Sequence, residues 1–318
     1  MRIVIALGGN AIAPRGKPLT RAAETAAIEA AADSLAPITA HHEVVITHGN
    51  GPQVGDLALM STAQGRDDPF DILGAETEGA LGYELERALR NTLGLGASIA
   101  TLVTLTHVDG GPAFDHPTKF IGPVYDAATA QQLARDHHWT VRPDGPAWRR
   151  VVASPVPLHI LESAVIGQLL ASGTTVICCG GGGVPVMVDD AHQLIGVEAV
   201  VDKDLSSSAL ARDLHADLLI IATDVDAVIE GYGTSRPRPI SRAHPAALER
   251  MDFPAGSMEP KVTAACDFAW SGGISTIGAL VDLPRLLHAE AGTTISTQYS
   301  GVTHTCAPAR SEHDKCTN

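Results

Sequence analysis

Short runs of consecutive apolar residues alternate along this chain with longer, alanine-rich stretches whose apolar positions recur at helical spacing. The apolar runs predict strands over residues 2–7, 43–47, 98–105, 174–179, 217–222, 275–280 and 293–296. The periodic stretches predict helices over 21–36, 52–64 (with Pro52 in its first turn), 76–93, 160–171, 205–215 and 258–270. Strands that are apolar at successive positions, not at every second one, have both faces covered, which is the signature of a parallel sheet between helical layers. The pattern therefore predicts an α/β chain: a three-layer α/β/α architecture with a central, mainly parallel sheet. Residues 110–157 break the rhythm with repeated prolines and weak periodicity and read as a small inserted lid subdomain. Residues 298–318 are polar and aperiodic, the pattern of a disordered tail.

The composition agrees with a globular chain. Of 318 residues 45% are hydrophobic and 18% charged, enough for one large core or two lobes sharing a sheet. The net charge of −14 opposes sequence-independent nucleic-acid binding and docking on anionic lipid. It leaves room for a small anionic substrate held by a local group of cations. The apolar run before Gly8 is too short for a secretion signal or a membrane span, so a cytoplasmic protein is expected. Cys178, Cys179, Cys266, Cys306 and Cys316 are odd in number and include no CxxC pair, and the histidines show no HExxH spacing. Neither a disulfide framework nor a protein-ligated metal site is expected.

Three predicted strands run into glycine clusters: Gly8-Gly9-Asn10, His48-Gly49-Asn50-Gly51-Pro52 and Gly180-Gly181-Gly182-Gly183. In an open α/β sheet ligands bind beyond the carboxyl ends of the strands. Glycine there lets backbone N–H groups approach an anion, and a following helix N-terminus adds a favourable dipole. One such pair is simply a tight turn; three of them after strands favour a ligand site. The loops are neither a GxxxxGK[ST] phosphate loop nor a GxGxxG dinucleotide loop.

Lysine is scarce. Only five of the 22 basic residues are lysine, at positions 17, 119, 203, 261 and 315. Lys203 and Lys261 head predicted helices, where a cation opposes the helix dipole and so is not placed for helix stability. Lys119 lies in the lid. A compact ammonium suits a migrating phosphoryl group.

Together these stretches resemble the carbamate kinases of the amino acid kinase fold. The resemblance runs from Ala6 to about Thr297. It rests on Ala6-Leu7-Gly8-Gly9-Asn10-Ala11, His48 to Gly55, Pro117-Thr118-Lys119, Trp148 to Val152, Cys179 to Val186, Gly196 to Asp204 and Gly256 to Lys261. It implies one domain over residues 1–297, with an acid-binding lobe over about 1–195 and a nucleotide lobe over about 196–297. The implied reaction is phosphoryl exchange between ATP and carbamate, giving carbamoyl phosphate and ADP, with Mg²⁺ on the nucleotide and in the direction of ATP synthesis. A homodimer is implied as well. On this resemblance Lys203 and Lys261 flank the migrating phosphoryl, Asp204 orients them, and Lys119 completes the acid site from the lid. Gly8, Gly9 and Asn10 face the phosphoryl group, and Gly49, Asn50 and Gly51 the carbamoyl group. Gly180, Gly181 and Gly182 line the nucleotide phosphates, with Asp224 and Tyr232 at the nucleoside. The chain departs from the family pattern at Glu78, where glutamine is usual, and at Phe120 and Ala153, where proline is usual. Two other readings stay open on the residues: a kinase of another small carboxylic or amino acid, and a non-catalytic binding module.

Overall fold

A computed structural model describes residues 1–9, 20–66, 68–254 and 256–305. In chain order its elements are β1 (Arg2–Leu7), α1 (Arg21–Thr39), β2 (Glu43–His48), α2 (Gly51–Ala63), α3 (Phe70–Leu93), β3 (Ile99–Thr101), β4 (Leu105–Val108), β5 (Lys119–Tyr125), α4 (Ala127–His137), β6 (Thr140–Asp144), β7 (Ala147–Val152), β8 (Pro157–Ile160), α5 (Ser163–Ala171), β9 (Thr175–Ile177), β10 (Val184–Val188), β11 (Leu194–Gly196), α6 (Lys203–Asp213), β12 (Leu218–Thr223), β13 (Ile229–Glu230), β14 (Arg238–Ala243), α7 (Pro245–Leu248), α8 (Met258–Trp270), β15 (Ile274–Ala279), α9 (Leu283–Leu287), β16 (Thr293–Ile295) and β17 (Val302–His304).

The long apolar runs form the middle of a large sheet of order β13-β14-β16-β15-β12-β1-β2-β9-β3, with β17 added against β14. From β15 through β12, β1, β2 and β9 to β3 every pairing is parallel. Alternate residues of one strand feed two cores. Val4 and Ala6 face a layer built by α5, α6 and α8, with Ile166, Leu210 and Phe268 packed there. Ile3, Ile5 and Leu7 face α1, α3 and α9, with Ile28, Leu85 and Leu283. This is why β1 reads as an unbroken apolar run, and it is the three-layer arrangement the sequence predicts.

Four corrections follow. The run over 98–105 is two strands: β3 stays in the main sheet, and β4 joins a second sheet of order β11-β10-β4-β8. The break falls at Thr104, whose N–H and hydroxyl are both tied to Glu78 of α3, 3.2 and 2.8 Å away. Helix α3 begins at Phe70, six residues before the apolar periodicity, because Glu198 accepts from the Phe70 N–H at 2.9 Å and supplies a cap from 128 residues away in sequence. The helix expected from residue 160 starts at Ser163, because Pro157–Ile160 pairs with β4. The tail expected from residue 298 does not begin there: Val302–His304 pairs with β14, and residues 306–318 lie outside the described residues.

The insertion forms a three-stranded antiparallel sheet, β5-β7-β6, carrying α4. It rests on α2 through two glycines. A Cβ on Gly55 would lie 2.5 Å from the Gly122 Cα, and Gly122 has φ +65°, so both positions need glycine. Val54, Phe70, Ile121 and Val152 close a small core at this joint. The Arg150 guanidinium lies between the Phe70 and Trp139 rings, 4.8 and 4.4 Å from their centroids.

Candidate active site

Strands β12, β1, β2 and β9 are neighbours in the sheet, and their carboxyl ends carry the turns singled out in the sequence. The first two turns meet through the backbone. Gly8 N–H donates to the Ala222 carbonyl at 2.8 Å and Gly49 N–H to the Leu7 carbonyl at 3.1 Å. A Cβ on Gly49 would sit 3.0 Å from the Gly9 Cα and N, whereas one on Gly9 or Gly51 would meet nothing within 4 Å among the described residues. Gly49 therefore allows two chains to touch, while Gly9 and Gly51 leave their backbones open. Asn50 is the N-cap of α2, and its side chain does not cap the first turn, which leaves N–H groups there for an anion. Asn10 lies outside the described residues.

Lys203 and Lys261 come together although 58 positions separate them. The Lys203 ammonium pairs with Asp204 Oδ1, and Lys261 Nζ lies 2.8 Å from Asp204 Oδ2. Burial alone would raise the Asp204 carboxyl, but the two ammonium groups outweigh it and hold it well below the ordinary carboxylate range. Burial pulls Lys203 down against the attraction of Asp204. Lys261 is less enclosed, and Asp204 overcomes its desolvation and raises it. The triad is thus two cations sharing one anion, with a net positive charge. The position a Gly49 Cβ would occupy is 3.7 Å from the Lys203 Cδ, which sets that side chain beside the first two turns.

Helix α6 begins at Lys203, and Asp202 caps it. One Asp202 oxygen accepts from Asp204 N–H at 2.9 Å and the other from Lys119 Nζ at 2.6 Å. One carboxylate thus ties the lid lysine to the helix that carries the triad. Burial raises the Asp202 carboxyl and Lys119 lowers it, with a net shift downward. Ser206 and Ser207 are fully buried and explain why a serine run sits inside the protein. Ser206 donates to the Gly182 carbonyl at 2.8 Å, and Ser207 lies 2.6 Å from the Thr47 hydroxyl of β2.

On the other side of Lys261 a cleft of roughly 400 Å³ is lined by Gly8, Gly9, Thr223, Asp224, Tyr232, Gly256, Ser257 and Met258, among others. Its size and mixed lining suit a small organic ligand.

The Gly180–Gly182 turn lies elsewhere. The sequence reading set it along the nucleotide phosphates, but here it is buried and packed on protein. Added Cβ atoms would collide with His48 and Glu78 at Gly180, with the Asn50 side chain at Gly181 and with the Val201 carbonyl at Gly182. Its neighbour is the Asn50 turn, and it does not line the cleft beside Asp224 and Tyr232.

Comparison with known proteins gives the family. A model of the amino acid kinase family matches residues 1–277. The chain belongs to the amino acid kinase family. It is 52% identical over 309 residues to a carbamate kinase of Rhizobium meliloti (strain 1021), covering 95% of each chain. It is 46% identical over 308 residues to a carbamate kinase of Haemophilus influenzae, covering 96% of this chain and 99% of that one. Among solved structures, the carbamate kinase from Giardia lamblia bound to AMP-PNP superposes with a TM-score of 0.85 at 37% identity, over 93% of this chain and 98% of that one. No helix among the described residues is long and apolar enough to cross a membrane.

Sequence reasoning gave no role to Asp202, Thr223, Ser206 or Ser207. Asp202 carried a usable signal, an aspartate immediately before a helical lysine, which is an N-cap pattern. The serines carried none, because a serine run reads as solvent-exposed until the fold buries it.

Proposed function

We propose that this chain is a carbamate kinase that transfers a phosphoryl group reversibly between ATP and carbamate. The observation that carries the reading is the Lys203–Asp204–Lys261 triad, whose Lys261 lines one cleft together with the Gly9 turn, Asp224 and Tyr232. Carbamate is already an anion, so a carboxylate oxygen attacks the γ-phosphorus without a general base. The bond from that phosphorus to the β–γ bridging oxygen breaks, and its electron pair leaves with ADP. The obstacle is one anion approaching another, and ammonium groups fixed in place before the substrates arrive lower it. In this mechanism Lys203 and Lys261 flank the moving phosphoryl, and Asp204 orients them. Gly9 offers its backbone N–H group to it, and Gly8, whose own N–H is bonded to the Ala222 carbonyl, sets the turn in place. Gly49, Asn50 and Gly51, at the start of α2, hold the carbamoyl group, and Lys119 closes that site from the lid. Asp224 and Tyr232 border the nucleoside. The Gly180–Gly182 turn supports Asn50.

Asp224 is the carboxylate among the described lining residues of the cleft. That donor set fits a magnesium ion held mainly by nucleotide oxygens and water, and such an ion would neutralise phosphate charge. The proposal includes a cytoplasmic location and a homodimer. Sedimentation of the purified protein tests the homodimer. The direct test of function mixes the protein with carbamoyl phosphate, ADP and Mg²⁺ and measures ATP. ATP formation with carbamoyl phosphate but not with acetyl phosphate is the expected result; no ATP from carbamoyl phosphate overturns the reading.

A further inference from the structure

Glu78 is fully buried on α3, yet the mechanism above makes no use of it. Its oxygens accept three hydrogen bonds: Oε1 from Gly180 N–H at 2.9 Å and from the Thr104 hydroxyl at 2.8 Å, and Oε2 from Thr104 N–H at 3.2 Å. The Thr104 hydroxyl in turn accepts from Cys179 N–H at 2.9 Å. Cys179 has φ +50°, an uncommon conformation for a residue with a side chain, held where the chain enters the Gly180 turn. The hydrogen bonds thus run in one direction, from Cys179 N–H through Thr104 to the carboxylate, with Gly180 N–H arriving beside them. Every donor points at Glu78, so the arrangement requires an acceptor on both oxygens.

The preceding residue of the same helix holds the other loop. Thr77 Oγ1 accepts from Asn50 Nδ2 at 2.8 Å, and the Gly181 backbone lies against that Asn50 side chain. Two consecutive residues of α3 therefore fix the two turns that meet at the acid site. The nucleotide cleft has neither Glu78 nor Thr104 in its lining.

We propose that Glu78 is a positioning residue for the acid substrate: its carboxylate holds the Gly180 turn against Asn50, and protonation loosens that hold without touching the nucleotide site. The inference deepens the carbamate kinase reading and rests on it for the identity of the substrate. Burial is the largest influence on Glu78 and pushes its carboxyl up to about 7, against the three hydrogen bonds; the Glu162 carboxylate pushes the same way. The other titratable groups facing it supply no cation. His48 is lowered to about 4 by burial and is neutral, and Cys178 is raised well above the ordinary thiol range. Protonation places an O–H donor where Thr104 N–H or Gly180 N–H already donates, so one of these bonds is lost as the pH falls through about 7.

Glu78→Gln is the test, because an amide, like the protonated acid, has one accepting and one donating end. In the wild type, the KM for carbamoyl phosphate is expected to rise about fivefold between pH 8 and pH 6, the scale of one hydrogen bond, while the KM for ADP follows its own smaller trend. In Glu78→Gln the carbamoyl phosphate KM is expected to stay at the weaker, low-pH value throughout. Substrate ionisation is common to both proteins and cancels in the comparison. Equal pH dependence in the two proteins, or equal effects on both substrates, overturns the proposal. A second measurement needs no turnover: hydrogen exchange of residues 178–184 in the unliganded protein, corrected for intrinsic rates. Protection is expected to fall from pH 8 to pH 6 in the wild type and to stay level in Glu78→Gln; unchanged wild-type protection also overturns the proposal. If the exchange step is present but carbamoyl phosphate is not used, the functional reading fails and the role of Glu78 stands.

Discussion

Asp202 and Asp204 stand two residues apart, both bonded to lysine, yet their surroundings give them different work. Asp204 is buried and shared by two ammonium groups, Lys203 buried and Lys261 partly so. Asp202 meets Lys119 at the joint with the lid, where the lysine side chain is still 32% exposed. The first cluster is a fixed field: removing Asp204 leaves two ammonium groups without their shared partner, one of them buried. The second is a pair that costs less to break, because water is at hand to replace the lost partner of Lys119. Proximity in sequence thus joins a permanent electrostatic element to a releasable one, through a single turn of α6.

The largest expected effect comes from Asp204→Asn, which strands two ammonium groups. We expect a loss of about 3–5 kcal/mol in unfolding free energy by denaturant titration, together with near-complete loss of ATP formation. Stability within about 1 kcal/mol of wild type would remove the distinction between the two carboxylates. Next come Lys203→Ala and Lys261→Ala. Each leaves Asp204 one partner, so folding is retained, and turnover falls by about 100-fold or more, the scale of one transition-state donor. Near-normal turnover in either folded variant would show that the triad is structural. Lys119→Ala is smaller again. A half-exposed pair is worth less than about 1 kcal/mol to stability, and the expected signature is a raised KM for carbamoyl phosphate with the KM for ADP nearly unchanged. Equal changes in both KM values would count against a lid lysine serving the acid.

Glu78 extends the contrast to a buried carboxylate with no cation, and its effect on stability is the smallest. Its carboxyl is raised, so the folded protein holds the proton more tightly than the unfolded chain. The stability this contributes is complete below the ordinary glutamate range and is lost as the pH rises through about 7. The melting temperature of Glu78→Gln relative to wild type should therefore climb between pH 5 and pH 8. A constant difference across that range would mean that Glu78 does not titrate there.

Much of this was legible in the sequence, and the residues show why. Ile3, Ile5 and Leu7 interleaved with Val4 and Ala6 spell a strand covered on both sides, because burial acts on each residue locally. The scarcity of lysine drew attention to Lys203 and Lys261, since a chain that uses arginine for surface charge keeps lysine for other purposes. The Gly180 cluster marks where reading by composition stops. Glycine leaves open space among the described residues at Gly9 and admits the protein's own side chains at Gly181, and nothing local distinguishes the two. Asp202, Ser206 and the early start of α3 were hidden for a related reason: their partners lie far along the chain, and only the fold brings them near. Glu78 stood out as a departure from the family pattern, but the donors that give it meaning come from Thr104 and Gly180.

The contact of Gly49 with Gly9 has a mechanical consequence. Main chain abuts main chain there, anchored by the hydrogen bond from Gly49 to Leu7, so the gauge between the two halves of the catalytic floor is the spacing of adjacent strands and not the length of any side chain. Such a gauge has no rotamers to sample. It holds the two turns at one separation, and a single methyl group added at residue 49 would reset it.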